Sequence, residues 1–137
     1  MIAGRGRTAL VVDDERLIRL VMIDALEQCE YAVLEAEDGP SALKILQSSE
    51  PIDLLIADHH LPGGMTGREL AESACKTRPS LRVLLISGLP EAVVAGNRGL
   101  PDKVRLLAKP FSMVKLVTAV AALHHRVSPV ASSSSDE

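Results

Sequence analysis

Short apolar runs alternate five times with helix-length stretches along this chain, and that alternation constrains its fold more than any other feature. The runs are Ala9 to Val12, Ala32 to Ala36 (the weakest), Leu54 to Ala57, Leu81 to Ile86 and Val104 to Ala108, all of strand length. Between the first two, Arg16 to Cys29 sets Ile18, Val21, Met22, Ala25 and Cys29 on one helical stripe and leaves Arg19, Asp24 and Glu27 for the wet side. A second helix, Ser41 to Gln47, is opened by Asp38-Gly39-Pro40, with proline near the first turn. Thr66-Gly67-Arg68-Glu69 has the spacing of a capping box, so a third helix starts there and runs to about Thr77 before Pro79 stops it. A fourth, Pro90 to about Arg98, contains Gly96 and meets Gly99 and Pro101, which makes it the least stable. The fifth spans Ser112 to His125. Strand-helix alternation folds as a parallel sheet covered by helices on both faces. Right-handed crossovers then predict a doubly wound five-stranded α/β sheet of order 2-1-3-4-5, with its ligand site at the carboxyl ends of the strands near the switch point.

The 137 residues suit one domain, expected over 8–126, with 1–7 as an N-terminal extension and the serine-rich 127–137 as a disordered tail. A net charge of −3 and only two aromatics, Tyr31 and Phe111, argue against a nucleic-acid module, which needs a basic face and stacking rings. No apolar run approaches the roughly 18 residues of a membrane span. Met1 to Arg7 lacks the apolar core of an export signal, and Cys29 and Cys75 are too few for a disulfide scaffold. A cytoplasmic protein with reduced thiols is expected.

In a parallel sheet every strand ends at the same edge, so residues distant in sequence become neighbours there. The first strand runs into Asp13-Asp14, the third into Asp58, the fourth into Ser87 and the fifth into Lys109. Gathered carboxylates repel one another and rise in pKa unless a cation joins them. Hard oxygen ligands suit Mg2+, which takes phosphate oxygens as its remaining ligands. An opposing lysine and a serine hydroxyl complete a setting for a phosphoryl group on one carboxylate. Plainer roles exist for each residue alone: Asp14 as a helix N-cap, Ser87-Gly88 as a strand-to-helix turn, Lys109 as a solvated charge. A lysine ending a buried strand is costly, however, unless it meets carboxylates.

Over about residues 7 to 126 the sequence resembles the response-regulator receiver family of two-component signalling. The resemblance rests on Val11-Val12-Asp13-Asp14-Glu15, Leu54-Leu55-Ile56-Ala57-Asp58, Leu85-Ile86-Ser87-Gly88 and Ala108-Lys109-Pro110-Phe111. It implies a flavodoxin-like (βα)5 fold, Asp58 as phosphoacceptor, and Asp13, Asp14, Asp58 and the backbone carbonyl of His60 around Mg2+, with Mn2+ as an alternative. It further implies Ser87 as a switch hydroxyl, Lys109 as the contact to the phosphoryl group, and a cis Lys109-Pro110 bond. The implied partners are a sensor histidine kinase or histidine phosphotransfer protein and a downstream protein. Catalysis is limited to the chain's own phosphorylation and dephosphorylation. Three departures stand out. Leu106 occupies a position where the family often has Tyr or Phe, and the loop after Asp58 is one residue longer than the commonest form. Only about a dozen residues follow the fifth helix, so a stand-alone receiver, or one detached from a hybrid kinase, is expected.

Two rivals remain. Asp58-His59-His60 spells the Asp-His-His motif of metal-dependent phosphoesterases, for which His124 and His125 are the only other histidines. A degenerate receiver acting only as a binding surface is the other. Finally, Met113, Val117 and Ala121 form one row on the last helix and Leu116, Ala119, Val120 and Leu123 another. That excess predicts a homodimer or partner docking through helix 4, strand 5 and helix 5.

Overall fold

A computed structural model describes residues 5–96 and 99–125. Strands β1 (Thr8–Val12), β2 (Ala32–Ala36), β3 (Leu54–Asp58), β4 (Arg82–Ser87) and β5 (Val104–Ala108) form one sheet in the order 2-1-3-4-5. All neighbouring pairs are parallel. Helices α1 (Arg16–Gln28), α2 (Gly39–Leu46), α3 (Gly67–Thr77), α4 (Glu91–Ala95) and α5 (Met113–His125) alternate with them. Both the fold class and the strand order follow the expectation. The expected tail lies outside the described residues.

Helices on both faces explain why the central strands read as unbroken apolar runs: residues 9–12, 54–57 and 83–86 are all buried. Side chains alternate between two cores. Leu10, Val12, Leu55, Ala57, Val83 and Leu85 pack under α2, α3 and α4, with Ala42, Leu46, Leu70, Ala71, Ala74 and Val94. Ala9, Val11, Leu54, Ile56, Leu84 and Ile86 pack under α1 and α5, with Met22, Ala25, Leu26, Leu116, Val120 and Leu123. Register then fixes the edge. Val12 pairs with Ala57, Asp58 with Ile86, and Ser87 with Ala108, so Asp13, Asp58, Ser87 and Lys109 emerge side by side.

Local signals hold at most helix ends. Asp38 caps α2 through its carboxylate on the Ser41 amide, which starts the helix at Gly39, two residues before the expected Ser41. Both halves of the α3 capping box form, Thr66 Oγ1 accepting from the Glu69 amide and Glu69 Oε1 from the Thr66 amide. The fourth helix is shorter than expected, because Gly96 adopts φ +67°, a left-handed conformation that ends it at Ala95; Asn97 and Arg98 lie outside the described residues. On α1 the buried stripe is Met22, Ala25 and Leu26, and Val21 is exposed with Leu17 and Leu20. The stripe centres one residue further along, so Leu26 replaces Val21 against the sheet. Excess apolar surface on α5 is present at Met113, Val114 and Val117. At about 100° per residue it lies on the flank of the buried row away from Ala119 and Ala122. No helix among the described residues is long and apolar enough to cross a membrane.

Leu55 is fully buried in the middle strand, with helices above it. Leu55→Ala should cost about 2–5 kcal/mol from lost burial and an unfilled cavity, read as a lower urea midpoint with unchanged slope.

Candidate functional site

Asp58 ends β3 and is buried, with both oxygens engaged. Its Oδ2 accepts from Lys109 Nζ at 2.6 Å, and its Oδ1 accepts from the His60 amide at 3.0 Å. Lys109 follows β5, donates its own amide to the Ser87 carbonyl at 2.9 Å, and precedes Pro110 through a cis bond, as expected. Asp13 is also buried, its Oδ1 accepting from the Glu15 amide at 2.8 Å while Oδ2 has no partner. Asp14 beside it is exposed. Ser87 is buried at the end of β4, with Oγ accepting from the Leu89 amide at 2.9 Å. The structure thus brings Asp13, Asp58 and Lys109 together, and sets Ser87 on the adjacent strand end with its hydroxyl turned to its own turn.

Two residues outside the expected set support this edge. Arg19, expected on the wet face of α1, has a side chain only 11% exposed; it donates to the Asp13 carbonyl at 2.7 Å and pairs with Glu35 at 2.6 Å. Nothing in helical periodicity marks that role, because the contact depends on β2 lying next to β1. Gly67 is the second. A Cβ there would meet the Asp58 carbonyl oxygen at 2.4 Å, and its amide donates to the His59 carbonyl at 2.8 Å, so only glycine lets α3 begin this close to the site.

Burial is the main force raising the Asp13 carboxyl above its ordinary pKa; the Glu15 amide opposes it, and the charges of Asp58 and Asp14 add to it against Lys109. For Lys109, burial pulls the pKa down, but the hydrogen bond and charge of Asp58, with Asp13 and Glu15, outweigh it and raise the net value. The ammonium therefore keeps its charge, and the edge still holds more acid than base. An unpartnered buried oxygen on Asp13, at an edge with surplus negative charge, fits a hard divalent cation that retains several waters. Among the described residues no group of three or more His, Cys, Asp or Glu side chains is placed to hold a metal ion, Asp13, Asp14 and Asp58 included, so an ion at this edge would need backbone, water and phosphoryl oxygens to complete its ligands. A phosphoesterase centre is further disfavoured by α5, whose 13 residues carry the chain about 20 Å from the Lys109 edge by the time it reaches His125.

A profile of the response regulator receiver domain matches residues 9–121. The response regulator receiver protein CpdR of Brucella abortus is 32% identical over 111 residues, covering 81% of this chain and 91% of that one. Sensor kinase CckA of the same organism is 34% identical over 114 residues, 82% of this chain but only 12% of the kinase. A crystal structure of a response regulator receiver protein from Sinorhizobium medicae superposes with TM-score 0.79 at 29% identity, over 87% of this chain and 94% of that one. The receiver domain of hybrid histidine kinase CckA gives TM-score 0.70 at 32% identity, over 85% and 97%.

Removing the Asp13 charge while keeping its Oδ1 acceptor should stabilise the metal-free protein. We expect Asp13→Asn to have a higher Tm than wild type at pH 7 without divalent ions. A raised native pKa makes ionisation of Asp13 destabilising above that pKa, and the penalty vanishes as pH falls below the ordinary carboxylate value. The Tm advantage should accordingly shrink between pH 7 and pH 3; an equal advantage at both ends would contradict this electrostatic origin.

Proposed function

This chain belongs to the response-regulator receiver family of two-component signalling, and we propose that Asp58 is the side chain that takes its phosphoryl group. One observation carries the assignment: Asp58 is held between the His60 amide and the Lys109 ammonium, beside the unpartnered oxygen of Asp13. In the transfer, an Asp58 carboxylate oxygen attacks phosphorus while the P–N bond of a phosphohistidine breaks and the imidazole leaves with its electron pair. Lys109 is already within reach of that carboxylate and moves onto a phosphoryl oxygen as charge develops there. The His60 amide keeps Oδ1 oriented. Asp13, Asp14, Asp58 and the His60 carbonyl are the groups that would hold a Mg2+ or Mn2+ ion, which would supply positive charge against the phosphoryl oxygens.

The donor is a sensor histidine kinase or a histidine phosphotransfer protein. Exposed Leu17, Leu20 and Val21 lie within the first two turns of α1, immediately after the acidic pair, and supply apolar surface for such a partner at the rim of the site. For output, a groove of about 410 Å3 between α4, β5 and α5, lined by Leu100, Pro101, Leu106, Ala119 and Ala122, suits a homodimer contact or a downstream protein. The receiver unit is taken as residues 8–126, and the free thiols of Cys29 and Cys75 suit the cytoplasm. Ser87 is the switch: on phosphorylation its hydroxyl leaves the Leu89 amide for a phosphoryl oxygen and draws in the turn at 88–90. Leu106, without a ring, plays a packing role only.

Acetyl phosphate with Mg2+ should add one phosphate by intact mass, and none to Asp58→Asn; equal yield on that variant would sink the assignment. EDTA should abolish the adduct, and Asp14→Ala should raise the Mg2+ concentration required. Ser87→Ala should still accept phosphate yet lose the phosphorylation-dependent change in partner affinity, which titration against the cognate partner would read.

A further inference from the structure

One arginine ties the short fourth helix to the body of the domain. Arg68, in the first turn of α3, has a side chain only 18% exposed and pairs with Glu72 at 3.1 Å. Its guanidinium then crosses to α4, donating to the carbonyls of Val94 at 3.1 Å, of Ala95, and of Gly99 at 3.3 Å. These are carbonyls at and beyond the end of a five-residue helix, groups that have no intrahelical partner and that favour a positive charge. Gly96 admits the contact: a Cβ there would meet Arg68 Nη1 at 2.6 Å.

Among the described residues, the other ties of α4 are few. It buries only Val94 and Ala95, leaves Val93 60% exposed, and has no side-chain hydrogen bond at its N-cap. An open surface cleft of about 430 Å3, lined by His59, Thr66, Arg68, Glu69, Glu72, Val93 and Val94, runs along its border with α3. At its other end the arginine stands next to Gly67, which lies against the Asp58 carbonyl and bonds to His59.

We propose that Arg68 is the latch that holds α4 in the unphosphorylated state and the link through which the loop after Asp58 reaches it. The proposal rests on Asp58 as phosphoacceptor. When the Ser87 turn is drawn toward a phosphoryl group, α4, which begins at Glu91 directly after that turn, must move relative to α3, and the Arg68 hydrogen bonds to its last carbonyls break. Arg68 is a positioning residue: it touches no reacting atom.

Amide hydrogen exchange, read by mass spectrometry on the full chain with intact mass in parallel, tests this on wild type, Arg68→Gln and Arg68→Lys, with and without acetyl phosphate and Mg2+. Without donor, Arg68→Gln should exchange about tenfold faster in 91–96 and 99–104 with β1 and β3 unchanged, and Arg68→Lys, which reaches fewer carbonyls at once, should show the same pattern more weakly. Phosphate should loosen the same segments in wild type and add little in Arg68→Gln, although both accept phosphate equally. Unchanged exchange in Arg68→Gln, a rise spread evenly over the whole chain, or a full phosphate response in that variant would overturn the latch. Absence of a phosphate adduct on wild type, or its survival in Asp58→Asn, would instead overturn the reading of Asp58 and the link with it, while the donor-free comparison still decides whether Arg68 holds α4.

Discussion

Two buried carboxylates share one ammonium at the carboxyl edge of the sheet. Asp13 and Asp58 lie at the ends of neighbouring strands, and the Lys109 ammonium, paired with Asp58, counters their repulsion together with the Glu15 and His60 amides. The local surplus of negative charge is unfavourable in a desolvated place, as the raised Asp13 pKa records. It survives because the strands that deliver these residues are anchored elsewhere, in two apolar layers packed on either face of the sheet. Stability of the core thus offsets the electrostatic cost carried at this edge.

Around that edge, backbone groups do much of the positioning. The Glu15 amide holds one oxygen of Asp13, the His60 amide one oxygen of Asp58, and the Ser87 carbonyl the Lys109 amide. Each is set by sheet register and by the turn that follows a strand, so the site is as rigid as the sheet. The opposite holds for α4, with five residues, two buried side chains and carbonyls satisfied from another helix. A rigid site beside a weakly held helix is the arrangement in which a small local bias has a large structural effect.

Much of the fold was legible because its signals are local or periodic. The five apolar runs, the Asp38 cap, the capping box at Thr66 and Glu69, and Pro79 after α3 each act within a few residues. Topology needed one more step, the right-handed crossover rule, which turns strand order into geometry and brings Asp13, Asp58, Ser87 and Lys109 to one edge. The early end of α4 at Gly96 was harder to read, because a glycine inside a helical pattern is tolerated as often as it terminates. On α1 the expected stripe put Val21 against the sheet and passed over Leu26; the apolar residues exceed one face, and packing against the β strands and α5 placed Leu26 there instead.

By itself, the sequence determined which residues reach the functional edge, since strand length and alternation set where each chain segment ends. Only tertiary structure decided what holds that edge and what could move beside it. Arg19 reaches the Asp13 carbonyl because β2 and its Glu35 lie alongside β1, and Arg68 reaches Val94, Ala95 and Gly99 across 26 to 31 residues of chain. A long, flexible cation leaves no periodic trace of its partner: its target is a set of backbone carbonyls, which every residue type presents alike, and which become a binding site only when the folded chain sets them in one place.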